Sequence, residues 1–364
     1  MNFKIIPRLN LIGDTLRLKL VYDEIHRLHR DPYGSHPEDL WRVEESVWEL
    51  STSPAWTHID ILKSSRPDIN SVLLVHDPDY VEWVRNECSK GFHYVDPDTY
   101  VTEYTYEVAL SFATTAMNAA LDAVKTSIPW FILARPGGHH AGRRGPAMGA
   151  PTLGFCIFDY IAIAAKSLID KGVRVMVIDF DAHHGNGTQE IFWDEPRVLH
   201  IDIHQRWIYP GTGNLDDVGG LNARGTKVNI PLYPGSNDSH YVYVINEVIE
   251  PARKIFNPKA ILVFAGFDAH RDDRLTQLNT TEDLYSFIGH YLRELLESGL
   301  IKGLVSVLGG GYGRGMVKSL RSYVEGLVGT SKKPVIKPIS PGDDIMQALT
   351  KVLDMLKETV NKLH

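Results

Sequence analysis

The stretch Val173–Gly187, VRVMVIDFDAHHGNG, changes character halfway along. From Val173 to Phe180 it is apolar apart from Arg174 and Asp179. A strand reads this way when a parallel sheet is covered on both faces. It then runs into Asp181, His183, His184, Gly185, Asn186 and Gly187. In open α/β sheets, sites form at the carboxyl ends of the strands, and this junction has that chemistry. Working outward, three more junctions repeat the pattern. Ile128–Ala134 leads to Arg135-Pro-Gly-Gly-His139-His140, Ile261–Gly266 to Asp268-Ala-His270, and Leu304–Leu308 to Gly309-Gly310-Gly311-Tyr312. Val72–Val75, Val198–His204 and Val228–Leu232 are further apolar runs, and Leu16, Leu18 and Leu20 alternate with Arg17 and Lys19 as in a strand with one wet face. Helical periodicity fills the gaps: Pro37–Leu50, Glu103–Val124, Ile161–Ile169, His240–Ile255 and Asp283–Glu297, with Asp77-Pro78 as a capped helix start. This alternation predicts an α/β fold, a single domain with an eight-stranded, mostly parallel sheet flanked by helices. No linker divides residues 1–330. Residues 331–364 hold KKPVIKPISP and an amphipathic helix striped by Ile345, Leu349, Val352, Leu353, Leu356 and Val360, expected to dock on the same domain.

Composition narrows the function. The 364 residues carry 45 acids against 38 bases, a formal charge of −7, so direct nucleic-acid binding through a basic field is not expected. Apolar residues at 43% and charged residues at 23% are ordinary globular usage. Two cysteines are too few for a disulfide framework or a cysteine-rich zinc site, which predicts a reducing, cytoplasmic setting. No apolar run reaches the ~18 residues of a membrane span. Arg8, Asn10, Asp14, Arg17 and Lys19 interrupt Met1–Leu20, so no signal-peptide core is expected there.

The chemistry lies at the strand ends. Asp181 and His183, two residues apart on extended backbone, point to one side and can share a metal. Asp268 is the third ligand candidate. Two Asp and one His, with positions left open, suit a catalytic zinc. His139 and His140 would point apart on a strand, and Gly137 and Gly138 supply the bend that a shared site requires. Their role is read as proton transfer, since an imidazole titrates near neutrality. Tyr312, after three glycines, can donate to a developing oxyanion. A phosphate loop is excluded, because no G-x-G-x-x-G or G-K-[ST] spacing fits these glycines.

Together these residues resemble the zinc-dependent histone deacetylases and their prokaryotic relatives, the acetylpolyamine amidohydrolases included. The motifs run from Tyr22 to about Tyr323: His36-Pro37-Glu38 with Arg42; Arg135-Pro136 through His140-Ala141; Gly154-Phe155-Cys156; Asp179 through Gln189; Tyr209 through Gly213; Gly266-Phe-Asp268-Ala-His270; and Gly310-Gly311-Tyr312. The resemblance implies an arginase- and deacetylase-like sheet and one zinc per chain on Asp181, His183 and Asp268. It implies His140 as the main base, His139 beside it and held by Asp179, and Tyr312 polarising the acetyl carbonyl. Phe155 and Tyr209 would wall the acyl-lysine tunnel, with Gly154, Gly311 and Leu275 along it and Arg42 and Asn186 in support. A structural potassium near Asp179 is also implied. Asn186 replaces an Asp found in some members, and Asp202 a common Ser. The thirteen residues 141–153 form a longer loop than in many members, expected at the tunnel mouth.

The reading that follows is removal of an acetyl or longer acyl group from an N-acylated amine, acetyl-lysine of proteins first and acetylpolyamines second. Leu275 stands where a eukaryotic polyamine specialist has Glu. A binuclear manganese ureohydrolase would need further carboxylates, for which His270, Asp272 and Asp273 are the available neighbours; counting bound metals separates it. An acyl-binding module without catalysis would need only the tunnel. His139, with Asp179 beside it, is expected to be the more readily cationic of the histidine pair.

Overall fold

Seven of the eight expected strands lie in one sheet. The computed structural model describes residues 11–12 and 15–363. Arg8, Asn10 and Asp14 of the N-terminal reading lie outside them. In chain order the sheet strands are β1 (Leu18–Val21), β2 (Ile59–Leu62), β3 (Trp130–Ile132), β4 (Val175–Asp179), β5 (Val198–Gln205), β6 (Lys227–Leu232), β7 (Ala260–Ala265) and β8 (Gly303–Leu308). Their spatial order is β6-β5-β4-β7-β8-β3-β1-β2. Every pairing is parallel.

Alternate residues explain the layers. Met176 and Ile178 of β4 enter one core, with Leu199, Ile201, Ile261 and Val263 of its neighbours. Val175 and Val177 enter the other, with Val198, Leu262 and Val305. The helices α1 (Trp41–Ser51), α2 (Thr105–Thr126), α3 (Tyr160–Ile169), α4 (Glu282–Glu297), α5 (Gly315–Val328) and α6 (Asp343–Asn361) divide between them. Val43, Leu292, Leu320 and Leu356 place α1, α4, α5 and α6 on the first face. Ala116 and Ile163 place α2 and α3 on the second. Both faces are covered, as the unbroken apolar strands require.

Val72–Val75 is not a strand. Asp68 caps the short helix Ile69–Val72 by accepting from the Asn70 amide, and Val72 and Val75 are buried while Leu73 is exposed, the spacing of a helical turn. The eighth strand is β2, IDIL, on the sheet edge, where half-buried residues leave no apolar run. Asp77 also departs from expectation. Pro78 does begin a helix, but Asp77 makes no capping bond, and its carboxylate accepts from Arg144 Nε at 2.5 Å.

The strand order sets the site. From β4 the chain steps outward to β5 and β6, then returns to place β7 on the other side of β4 and continues to β8. Direction therefore reverses between β4 and β7, and a crevice opens there at the carboxyl ends. Asp181 follows β4 and Asp268 follows β7.

Candidate active site

Across that crevice, ligand atoms of Asp181, His183 and Asp268 all lie within 4.8 Å of one another. His183 Nδ1 is 2.7 Å from Asp268 Oδ2 and 3.3 Å from Asp181 Oδ1. Backbone amides aim the carboxylates: Gly310 N–H donates to Asp181 Oδ2 at 2.6 Å and Ala182 N–H to Asp268 Oδ1 at 2.8 Å. Only glycine permits this approach, since a Cβ on Gly310 would lie 2.6 Å from Asp268 Oδ2. The trio stabilises positive charge. Burial opposes a cationic His183, yet Asp181 and Asp268 push its pKa up to about 10. One imidazole nitrogen and two carboxylate oxygens gathered on one side of a crevice are a donor set of the kind that holds a divalent cation. His270, Asp272 and Asp273 do not extend it. His270 Nδ1 accepts from the Asp272 amide, and Asp273 accepts from the amides of Leu275 and Tyr312.

His139 and His140 converge in the bend after Gly138, with their Nε2 atoms 3.1 Å apart. His139 Nδ1 donates to Asp179 Oδ2 at 2.8 Å, and His140 Nδ1 to Asn186 Oδ1 at 2.7 Å. The Asn186 amide is oriented by its own Nδ2, which donates to Ala147 O at 2.8 Å. The two Nε2 atoms thus face each other at hydrogen-bonding distance beside the pocket. Both rings are held below the ordinary imidazole value. Burial, with the His183 and His204 rings, outweighs the Asp181 carboxylate and pushes the His139 pKa down to about 4. Burial and the His139 and His183 rings hold His140 well below its ordinary value. Behind the pair, Asp179, His200 and Asp202 form a second, fully buried donor group.

One pocket is lined by Arg42, His139, His140, Gly154, Phe155, Asp181, His183 and Tyr312 among others. Phe155 meets the Tyr312 ring edge-on at 5.6 Å. Tyr209 meets His140 edge-on at 4.9 Å, and its hydroxyl donates to Thr152 O at 2.9 Å. Tyr209 is not among the residues lining that pocket and instead lines a second one, with His184, His204, Arg206 and Thr212. Leu275 does not line the catalytic pocket and stands 42% exposed. Arg42 Nε donates to Gly311 O at 2.8 Å, and its guanidinium lies 4.8 Å from the Tyr312 ring centre. Buried Glu38 pairs with Arg42 and with Arg135, so the glycine turn rests on a satisfied ion network.

Three residues that hold the pocket wall at Gly154 and Phe155 were not read from the sequence. Asp96 accepts from Leu153 N–H, Asp98 from Gly154 N–H and the Thr152 hydroxyl, and Thr99 Oγ1 from Phe155 N–H. They fix Gly154 and Phe155 at φ +55° and +66°. The Asp-Pro-Asp-Thr run at 96–99 was their signal, as a cluster of turn-forming acceptors. The loop 141–153 only partly reaches the mouth. Arg143 and Arg144 are tied to Ile191 O and Asp77, while Thr152 meets Asp98 and Tyr209.

A model of the histone deacetylase domain matches residues 36–327. An uncharacterized protein of Methanocaldococcus jannaschii is 44% identical over 74% of this chain and 76% of its own length. A probable deacetylase of Methanothermobacter thermautotrophicus is 37% identical, covering 86% of this chain and 92% of its own. The crystal structure of the HDA15 HD domain superposes with a TM-score of 0.82 at 30% identity, over 96% of each chain. Sheet order, strand-end site and these matches agree: the chain belongs to the histone deacetylase family.

Proposed function

We propose that the protein hydrolyses the amide of an N-acetylated amine, with acetyl-lysine in proteins as the substrate and acetate as a product. The observation that carries this is the convergence of three chemistries on one pocket: a three-donor metal set, two imidazoles that meet at their Nε2 atoms, and a phenol on a glycine turn. Asp181, His183 and Asp268 would hold a zinc ion, which would supply Lewis acidity at the carbonyl and at the attacking water. His140 Nε2 accepts the proton of that water and later returns a proton to the leaving amine. His139, anchored by Asp179, orients His140 and shares the proton load. The Tyr312 hydroxyl donates to the carbonyl oxygen as it gains charge, a contribution of ~3–4 kcal/mol for such donors. Phe155 and Tyr209 exclude water from the acyl-lysine stem.

Potassium is the second ion we assign, beside Asp179 and Asp202. Both carboxylates are fully buried, and their mutual repulsion helps raise the Asp179 pKa, so a cation suits the place. A cytoplasmic location fits the two buried free thiols, Cys88 and Cys156. Among the described residues no helix is long and apolar enough to cross a membrane.

Exposed, apolar Leu275 favours peptides over polyamines, since it offers no carboxylate to a distal ammonium. Assaying the zinc-loaded protein against acetyl-lysine peptides and acetylated polyamines side by side tests the assignment. A higher kcat/KM on peptides is expected. Turnover of polyamines alone would replace the substrate, and turnover of neither would end the hydrolase reading.

A further inference from the structure

Tyr312 follows three glycines, and Gly311 sits at φ +128°. Such a turn has little stiffness of its own, so the phenol's position must be set from outside. Arg42 fixes the carbonyl of Gly311, and Gly310 is tied through its amide to Asp181 and through its carbonyl to Phe267 N–H. The Arg42 bond holds the carbonyl side of the Gly311–Tyr312 peptide plane, and the amide side is left to a second partner of Tyr312. Its backbone N–H donates to Asp273 Oδ2 at 2.6 Å. The other oxygen of the same carboxylate accepts from Leu275 N–H at 2.8 Å. Asp273 thus joins the loop after β7, which carries Asp268, to the loop after β8, which carries Tyr312. The two loops touch closely, for a Cβ on Gly313 would lie 2.2 Å from Asp272 O.

We propose that Asp273 is a positioning residue for the phenol: its carboxylate clamps the Tyr312 amide against the Leu275 turn and so fixes the hydroxyl relative to the metal-ligand loop. This rests on the amide hydrolysis proposed above. A backbone shift of 1 Å at Tyr312 is enough to move its hydroxyl out of reach of the carbonyl oxygen, and misplacement on that scale costs ~10²-fold in rate.

The test is a double-mutant cycle in the zinc-loaded protein. Asp273→Ala removes both acceptors, while Asp273→Asn keeps one oxygen and nearly the same shape. On an acetyl-lysine peptide, Asp273→Ala should lower kcat by ~10–100-fold with KM little changed, and Asp273→Asn should lose less. In a Tyr312→Phe background, Asp273→Ala should cost less than about threefold more, because the hydroxyl it positions is gone. Equal losses in both backgrounds would overturn the proposal and make Asp273 a general structural residue. Hydrogen exchange gives a readout that needs no turnover. The peptide spanning Gly309–Arg314 should exchange about tenfold faster in Asp273→Ala than in the wild type, as expected for one lost hydrogen bond. Unchanged exchange there would reject the clamp. A wild type inactive on every acetylated amine would reject the reaction instead, and the exchange result would still decide the clamp.

Discussion

At the scale of single residues, the pocket divides its work between groups that differ by one atom or one neighbour. Tyr312→Phe removes a hydroxyl and leaves the ring edge against Phe155 and the Arg42 contact in place. Turnover should fall by ~10²–10³ with the melting temperature unchanged. Wild-type kcat in that variant would remove the phenol from the reaction. The histidines differ in what stands behind them: Asn186 behind His140, Asp179 behind His139. His140 packs edge-on against Tyr209 at the tunnel wall, whereas His139 stacks on Phe264 at 4.1 Å, deeper in the core. His140→Ala should therefore lose nearly all turnover, of the order of the ~10²–10⁴ that a general base contributes, while still retaining zinc. His139→Ala should lose less in turnover and more in stability, since it empties a packed ring and leaves Asp179 Oδ2 without its His139 partner. Steady-state kinetics with metal analysis and thermal melts on both variants decide the order. A dead His139→Ala beside a near-normal His140→Ala would reverse the roles.

At the scale of elements, each helix is held by the face it buries. The stripe Ile345, Leu349, Val352, Leu356 and Val360 of α6 enters the core beneath β6. The helix closes so tightly on the loop before β6 that a Cβ on Gly225 would lie 2.4 Å from Leu356 N. Leu356→Ala leaves a cavity in the core that the stripe enters and should cost ~2–5 kcal/mol, read as a lower urea midpoint with the slope unchanged. A loss below ~0.5 kcal/mol would mean that α6 is not docked as described. The stripe was plain in the sequence because its period was undisturbed over five turns. The central strands were plain for a related reason: burial on both faces leaves an apolar run. β2 was hidden because an edge strand needs no such run, and Val72–Val75 misled because four apolar residues suit a buried turn as well as a strand. α5 was missed because its start, Gly315, lies against the His270 ring right behind Tyr312, where the glycines argued for loop. Among site residues, those at strand ends were legible from position alone. Asp96, Asp98 and Thr99 were not, because they act through hydrogen bonds to a segment more than fifty residues away, and no spacing encodes such bonds.

At the scale of the whole molecule, chemistry and stability sit at opposite ends of the sheet. The site gathers at the carboxyl ends; at the amino end of β6, the fully buried Lys227 places its Nζ against Val198 O and the Thr226 hydroxyl and carbonyl. All three partners are neutral acceptors, and no carboxylate is among them. Burial accordingly pushes the Lys227 pKa down to about 7. In the unfolded chain the same amine titrates near its ordinary 10.5. Between those values the unfolded state binds the extra proton, so this group's contribution to folding stability rises with pH across the window. Below about pH 7 both states are protonated, and the burial cost is present in full and flat. The slope for one such group reaches ~1.4 kcal/mol per pH unit. Lys227→Met removes the titration and keeps the aliphatic stem, although it also leaves the carbonyls without a donor, so the offset between the two proteins carries no information. The informative quantity is the difference in urea-derived stability measured at pH 7, 8 and 9. The wild type should gain on the variant at each step, narrowing or crossing whatever gap exists at neutrality. Parallel curves would mean that the Lys227 amine stays charged in its buried position, with the three oxygens solvating it as well as water does.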